Sequence, residues 1–158
     1  MRIALYQPDI PQNAGTIIRL GACLGVPVDI IEPCGFVWSE PKLRRAGMDY
    51  LTMANVTRHE NWSRFTGESN GRLLLLTTKA QQSYLEIDFQ SDDRLLFGRE
   101  SVGVPEEIHE AADVRLTIPM MPGARSLNVA MAAAMVTAEA LRQTRGFPGS
   151  PPSSKETK

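Results

Sequence analysis

The feature that most constrains this chain is a run of four leucines, residues 73–76, followed by two threonines. Successive strand residues face opposite sides, so a strand that is apolar at every position must be covered on both faces. Sheets covered on both faces are typically parallel, with helices in the crossovers. Other apolar runs have the same character: residues 2–7, VDIIEP from residue 28, RLLFG over 94–98 and VRLTIPM over 114–120, with a weaker one near 53–57.

Helical patterns lie between these runs. TIIRLGACLGV has Ile17, Leu20 and Leu24 on one face and Gly25 as its stop. NWSRFTGE has Asn61 as its cap. PEEIHEAA has Pro105 at its first position and acids in its first turn. SLNVAMAAAMVTAEALRQ has Ser126 as its N-cap, and CGFVWSEPKLRRAGMDY mixes loop and short helix. The alternation predicts an α/β domain with a mostly parallel sheet flanked by helices. The 158 residues suit one domain, over 1–145, with a Pro/Ser/Gly-rich tail over 146–158 that is expected to be disordered.

The formal net charge of -1 excludes a globally basic nucleic-acid binder, though not a local basic patch. Between residues 41 and 72 there are six basic residues against three acidic ones, interleaved with Tyr50, Trp62 and Phe65 just after Trp38. Such a segment suits phosphates and unpaired bases, while each Trp taken singly reads better as core or interface. Cys23, Cys34, His59 and His109 lack metal-ligand spacing, so no metal is expected. No apolar run is long enough to span a membrane, and polar residues from Gln7 onward leave no signal-peptide core. The expected location is the cytoplasm, with the cysteines reduced.

In parallel sheets ligands bind at the carboxyl ends of strands, and three loops there stand out. GRESVGVP holds Gly98, Glu100 and Gly103, where glycines admit close backbone approach and Glu100 accepts from amides or a ligand hydroxyl. IPMMPGARSLN brings Ser126 and Asn128 toward the same cleft. NAGTIIR places Asn13 at a loop and Arg19 one turn into a helix, where the dipole disfavours a cation and a phosphate or carboxylate partner would help. The alanine-rich last helix, with Met131 and Met135, suits burial against the sheet or a second subunit.

Taken together, Asn13-x-Gly15-x-x-x-Arg19, Phe97-Gly98-x-Glu100-x-x-Gly103-x-Pro105 and Ile118-Pro119-Met120 with Ser126-Leu127-Asn128 resemble the three motifs of the SPOUT superfamily of RNA methyltransferases. The spacing is similar to the ribose 2′-O-methyltransferase branch. IPQNAGTIIRL, IIEPCGFVWSEPKLRRAGMDY, LLTTK and LLFGRESVGVP look like the small bacterial enzymes that act on the wobble cytidine or uridine, position 34, of tRNA. The resemblance covers residues 2–149.

It implies a C-terminal trefoil knot, which general topology rules argue against. It implies a homodimer with the active site at the interface, tRNA bound by its anticodon stem-loop, and S-adenosyl-L-methionine as donor, leaving as S-adenosyl-L-homocysteine. The cofactor would lie against Leu76, Thr77, Gly98, Glu100, Gly103, Ile118, Met120, Ser126 and Leu127. Arg19 and Asn13 would face the RNA, and Ser126 and Asn128 would shape the reaction centre. No metal is needed, since the leaving group departs neutral. Arg99 departs from the pattern: a cation is unfavourable beside a sulfonium, so it is expected to point away, toward RNA. The alternatives are 2′-O-methylation of another tRNA or rRNA nucleotide, and a non-catalytic RNA-binding protein of the same fold.

Overall fold

A computed structural model describes residues 1–39, 41, 49–68 and 70–149. Among these, six strands form one fully parallel sheet: β1 (Arg2–Tyr6), β2 (Val28–Ile31), β3 (Val56–His59), β4 (Leu73–Leu76), β5 (Arg94–Phe97) and β6 (Val114–Leu116). Their order is β3-β2-β1-β5-β4-β6. Four α-helices accompany them: α1 (Pro11–Leu24), α2 (Trp62–Glu68), α3 (Glu106–Ala111) and α4 (Val129–Thr144).

The four leucines behave as their pattern requires. Leu74 joins a core with Ile3, Leu5, Leu95 and Phe97 beneath α1 and α4. Leu73 and Leu75 turn the other way, to Ala4, Tyr6, Leu96, Phe65 of α2 and Ile108 of α3. Each central strand thus feeds two hydrophobic layers, and the two parities separate cleanly.

Strand β2 carries a carboxylate into this interior. Asp29 of β2 is fully buried. Its carboxylate accepts from Arg2 Nε at 2.7 Å, Arg2 Nη2 at 2.8 Å and the His59 ring at 2.9 Å. A buried carboxylate survives only with partners of this kind.

Several boundaries differ from the sequence reading. Helix α1 starts at Pro11 rather than Thr16, because proline at N1 lacks only an amide that would be unpaired anyway. Asn13 and Gly15 therefore belong to the helix. Pro105 occupies the N-cap position of α3 rather than its first turn. The weak strand lies at Val56–His59, slightly later than expected, and β6 stops at Leu116. Gly25 does end α1 in the left-handed region, with φ 66°. Asn61 does cap α2, its Oδ1 accepting from Arg64 N at 3.0 Å. Of the expected tail, residues 150–158 lie outside the described residues, as do Lys42, Arg44 and Arg45 of the basic segment. No helix among the described residues is long and apolar enough to cross a membrane.

Gly71, entering β4, combines a φ of +92° with a backbone oxygen, that of Asp92, 2.1 Å from where a Cβ would stand. Gly71→Ala is expected to destabilise the domain by about 1–3 kcal/mol or more, since both strain and overpacking act. Urea unfolding checks this: a midpoint unchanged from the wild type would contradict the reading.

Candidate functional site

All six strands run the same way, so the segments after β1, β4, β5 and β6 emerge at one edge. They surround a cleft of about 580 Å³, in the size range of small-molecule and cofactor sites. Its walls are Leu76–Lys79 after β4, the loop Gly98–Val104 after β5, and Thr117, Ile118 and Met120 after β6. Ser126, Leu127 and Asn128 close one side before α4. Every residue expected to touch a cofactor lines this cleft: Leu76, Thr77, Gly98, Glu100, Gly103, Ile118, Met120, Ser126 and Leu127. Asn13 and Asn128 line it as well, but Arg19 does not.

The β5 loop closes on itself. Arg99 N donates to Gly103 O at 3.0 Å, and Gly103 N to Arg99 O at 2.9 Å. A Cβ on Gly98 would stand 2.8 Å from the Gly103 carbonyl carbon, and Gly103 has a φ of +71°. Gly98 is therefore demanded by this pinch, and Gly103 by its left-handed backbone. The sequence alone suggests close ligand approach for both, and the fold gives each a structural requirement as well.

Glu100 holds the neighbouring loop rather than its own. Its Oε2 accepts from Asp9 N at 2.8 Å and its Oε1 from Asn13 Nδ2 at 3.2 Å. Asp9 reaches back: it accepts from Arg99 Nη2 at 2.7 Å and Nε at 3.1 Å, and also from Ser101. Hydrogen bonds from Arg99, then from Ser101, hold the Asp9 carboxyl below its ordinary range. The clasp's contribution to stability is accordingly complete above the ordinary range and is lost as pH falls below it, through the lowered value that Asp9 has in the folded protein. Arg99, expected to point away from a cofactor and toward RNA, instead lies among the residues lining the cleft, with its guanidinium held by Asp9.

The chain enters this loop through Gln7, which has a φ of 45°, unusual for a residue with a Cβ. Asn13 extends the network to the third loop, its Oδ1 accepting from Asn128 Nδ2 at 3.0 Å. Asn128, not Ser126, caps α4: its Oδ1 accepts from Ala130 N at 2.8 Å and Met131 N at 3.4 Å. Ser126 is exposed and makes no side-chain hydrogen bond among the described residues. The two were separable only by geometry, because both residue types cap helices well.

Arg19 lies exposed on α1, its guanidinium 4.7 Å from the centre of the Tyr50 ring. Nothing in the spacing of the sequence paired these two. Trp38 is half-buried, flanked by Phe36 at 6.3 Å and by the Arg58 guanidinium at 4.9 Å. Trp62 packs on Tyr6 and Phe65, as its core reading had it. No group of three metal-ligating side chains occurs among the described residues.

Residues 1–138 match the model of the SpoU rRNA Methylase family. The tRNA (cytidine(34)-2′-O)-methyltransferase of Beijerinckia indica is 58% identical over 144 residues, spanning 89% of this chain and 90% of that protein. A solved structure concerned with 2-OH methylation of C/U34 on tRNA superposes with a TM-score of 0.85 at 41% identity, covering 90% of this chain and 94% of the other. The SpoU methyltransferase AviRb of Streptomyces viridochromogenes, in complex with AdoMet, superposes at 0.78 with 26% identity, covering 90% of this chain and 60% of that one.

Two predictions follow from the network. Asn128→Ala removes the cap and should cost about 1 kcal/mol, whereas Ser126→Ala should stay within about 0.5 kcal/mol of the wild type. Chemical denaturation of both variants decides which residue caps the helix. In a double-mutant cycle, Glu100→Ala and Asn13→Ala should couple by about 0.5–1.5 kcal/mol, whereas additive losses would mean the contact carries no energy.

Proposed function

The chain belongs to the SpoU rRNA methylase family, and from that premise we propose that it methylates the ribose 2′-hydroxyl of the wobble nucleotide, cytidine or uridine 34, of tRNA. The observation that carries the reading is the convergence of three separated loops on one cleft at the strand ends, with Glu100, Asn13 and Asn128 joining them.

The cleft suits S-adenosylmethionine. Its volume fits a cofactor, Thr77, Ile118 and Met120 line its wall, and the Ser126 hydroxyl beside it has no partner among the described residues. Bound there, the cofactor supplies a methyl group made electrophilic by its sulfonium. Leu76, Thr77, Ile118, Met120 and Leu127 hold the nucleoside part, and Gly98, Glu100 and Gly103 keep the opposing loop in shape. Pairing with Asp9 would offset the Arg99 charge for a sulfonium bound in the cleft. Ser126, which lines the cleft, would face the reacting groups, and Asn13 and Asn128 would set the spacing of the walls.

Arg19 takes a phosphate beside the target ribose and orients the hydroxyl for in-line attack. An arginine remains protonated, so its contribution is position and charge rather than proton abstraction. Because Arg19 is outside its own cleft, it serves the cleft of a second copy in a homodimer. Met131 and Met135, one turn apart on α4, remain exposed on a helix that packs against α1, the helix bearing Arg19. The dimer unites two basic segments on an otherwise acidic-to-neutral chain, and the anticodon stem-loop is the part of tRNA they meet. A knotted C-terminal passage, in which the segment after β6 returns so that α4 lies on α1, and a cytoplasmic site of action complete the reading.

Incubating unmodified tRNA with the protein and S-adenosylmethionine, followed by nucleoside mass spectrometry, should give a 2′-O-methylated pyrimidine at the first anticodon position. The same mark elsewhere would move the target. No mark from protein shown to bind the cofactor would make it a binder. Arg19→Ala should lower the rate by about 100-fold or more with cofactor affinity nearly unchanged. Rising salt should weaken tRNA binding far more than cofactor binding, and equal sensitivity would remove the proposed division of labour.

A further inference from the structure

Three arginines lie over aromatic rings among the described residues, and they are not held alike. Arg58 lies over Trp38 and also donates to Glu32. Arg94 lies over Phe65 and donates through Nε to the Gly71 carbonyl at 3.1 Å. Arg19 lies over Tyr50 and makes no hydrogen bond or ion pair among the described residues. A guanidinium carries its five donors in its own plane, whereas a ring beneath it engages the face. A ring can therefore fix such a group while leaving its donors free. A carboxylate partner would fix it equally well but would consume the donors and neutralise the charge.

The ring itself is anchored. Tyr50 belongs to the 3-10 turn Asp49–Thr52, which packs against α1. The Tyr50 carbonyl accepts from Met53 N at 3.0 Å and Ala54 N at 2.9 Å, tying the turn to the segment that enters β3. Tyr50 is half-buried and Arg19 exposed, so among the described residues the guanidinium is open to an anionic ligand. An exposed arginine on a helix otherwise samples many rotamers, and ordering it on binding costs rate or affinity.

We propose that Tyr50 is a positioning residue for the methyl transfer: its ring pre-orients the Arg19 guanidinium and leaves the in-plane donors for the substrate phosphate. This rests on the role of Arg19 given above. The ring does the work and the hydroxyl does not, so Tyr50→Phe should behave as the wild type. Tyr50→Leu and Tyr50→Met keep apolar volume against α1 but present no π face. They should lower the single-turnover rate at saturating tRNA and cofactor by about 3- to 30-fold, the range of a cation–π contact, with cofactor affinity unchanged.

The test measures single-turnover methylation, the tRNA KM and cofactor Kd for these variants, alone and in an Arg19→Ala background. The inference expects the Leu and Met variants to lose rate with native Arg19 and to lose nothing further without it. A Phe variant as impaired as the Leu variant would overturn it, because the hydroxyl would then be the active group. Leu and Met variants as fast as the wild type would overturn it too, as would the same loss in the Arg19→Ala background, which would mark a direct contact between Tyr50 and RNA. Arg19→Ala alone separates the two layers: full activity there removes the role of Arg19 itself, whereas its collapse beside an inert Tyr50→Leu removes only the role of the ring.

Discussion

Asp9 and Glu100 cross between the loops that leave β1 and β5, each carboxylate gripping the loop of the other. The strands beneath are direct neighbours in the sheet, but their exit loops would splay without such a tie. Glu100 gathers the Asp9 amide and the Asn13 side chain, and Asn13 passes the connection to Asn128 at the start of α4. Three segments far apart in sequence thereby share one chain of hydrogen bonds. Bonds to a carboxylate are worth more than those between neutral groups, so the charged members carry the greater part. The β2 loop leans on the same point: Gly35 N donates to Pro8 O at 2.9 Å, and a side chain at Gly35 would stand 2.8 Å from the Asp9 carboxylate.

This arrangement has a consequence for charge. A free arginine on the cleft wall would disfavour a cationic ligand such as the proposed sulfonium, and Arg99 is not free. Its pairing with Asp9 uses the cation as a structural strut. Arg19 is treated in the opposite way, held by a ring and left charged at the surface. The difference between the two lies in the partner type: a carboxylate cancels the charge, and a π face does not.

The fold was largely legible because burial on both faces leaves a strong trace. Runs such as Leu73–Leu76 and residues 95–97 have no polar residue that would allow an exposed face. Helix starts were less legible. Pro11, Asn13 and Gly15 look like loop residues, yet proline is at home in a first turn, and tertiary burial of Gly15 overrides its propensity. Asn128 and Ser126 are two residues apart with the same capping chemistry, and only the path of the backbone chooses between them. The strand-end loops point to Gly98, Glu100, Gly103, Ser126 and Asn128 directly, whereas Leu76, Thr77, Ile118, Met120 and Leu127 are legible only through the resemblance of motifs, since residues of these types carry little information alone.

Composition, apolar periodicity and glycine placement by themselves determined a parallel α/β domain with its ligand edge at the strand ends, because water drives every apolar parity inward whatever the connections. The connections were decided only by the tertiary structure. Inserting β5 between β1 and β4 is what puts Glu100 beside Asp9 and Asn13, and packing α4 on α1 is what brings Asn128 to Asn13. The clasp of Asp9 with Arg99 and the seat of Arg19 on Tyr50 were decided there too. These are pairings at 90 and 31 residues' separation, and no local propensity encodes which distant partner a side chain will meet.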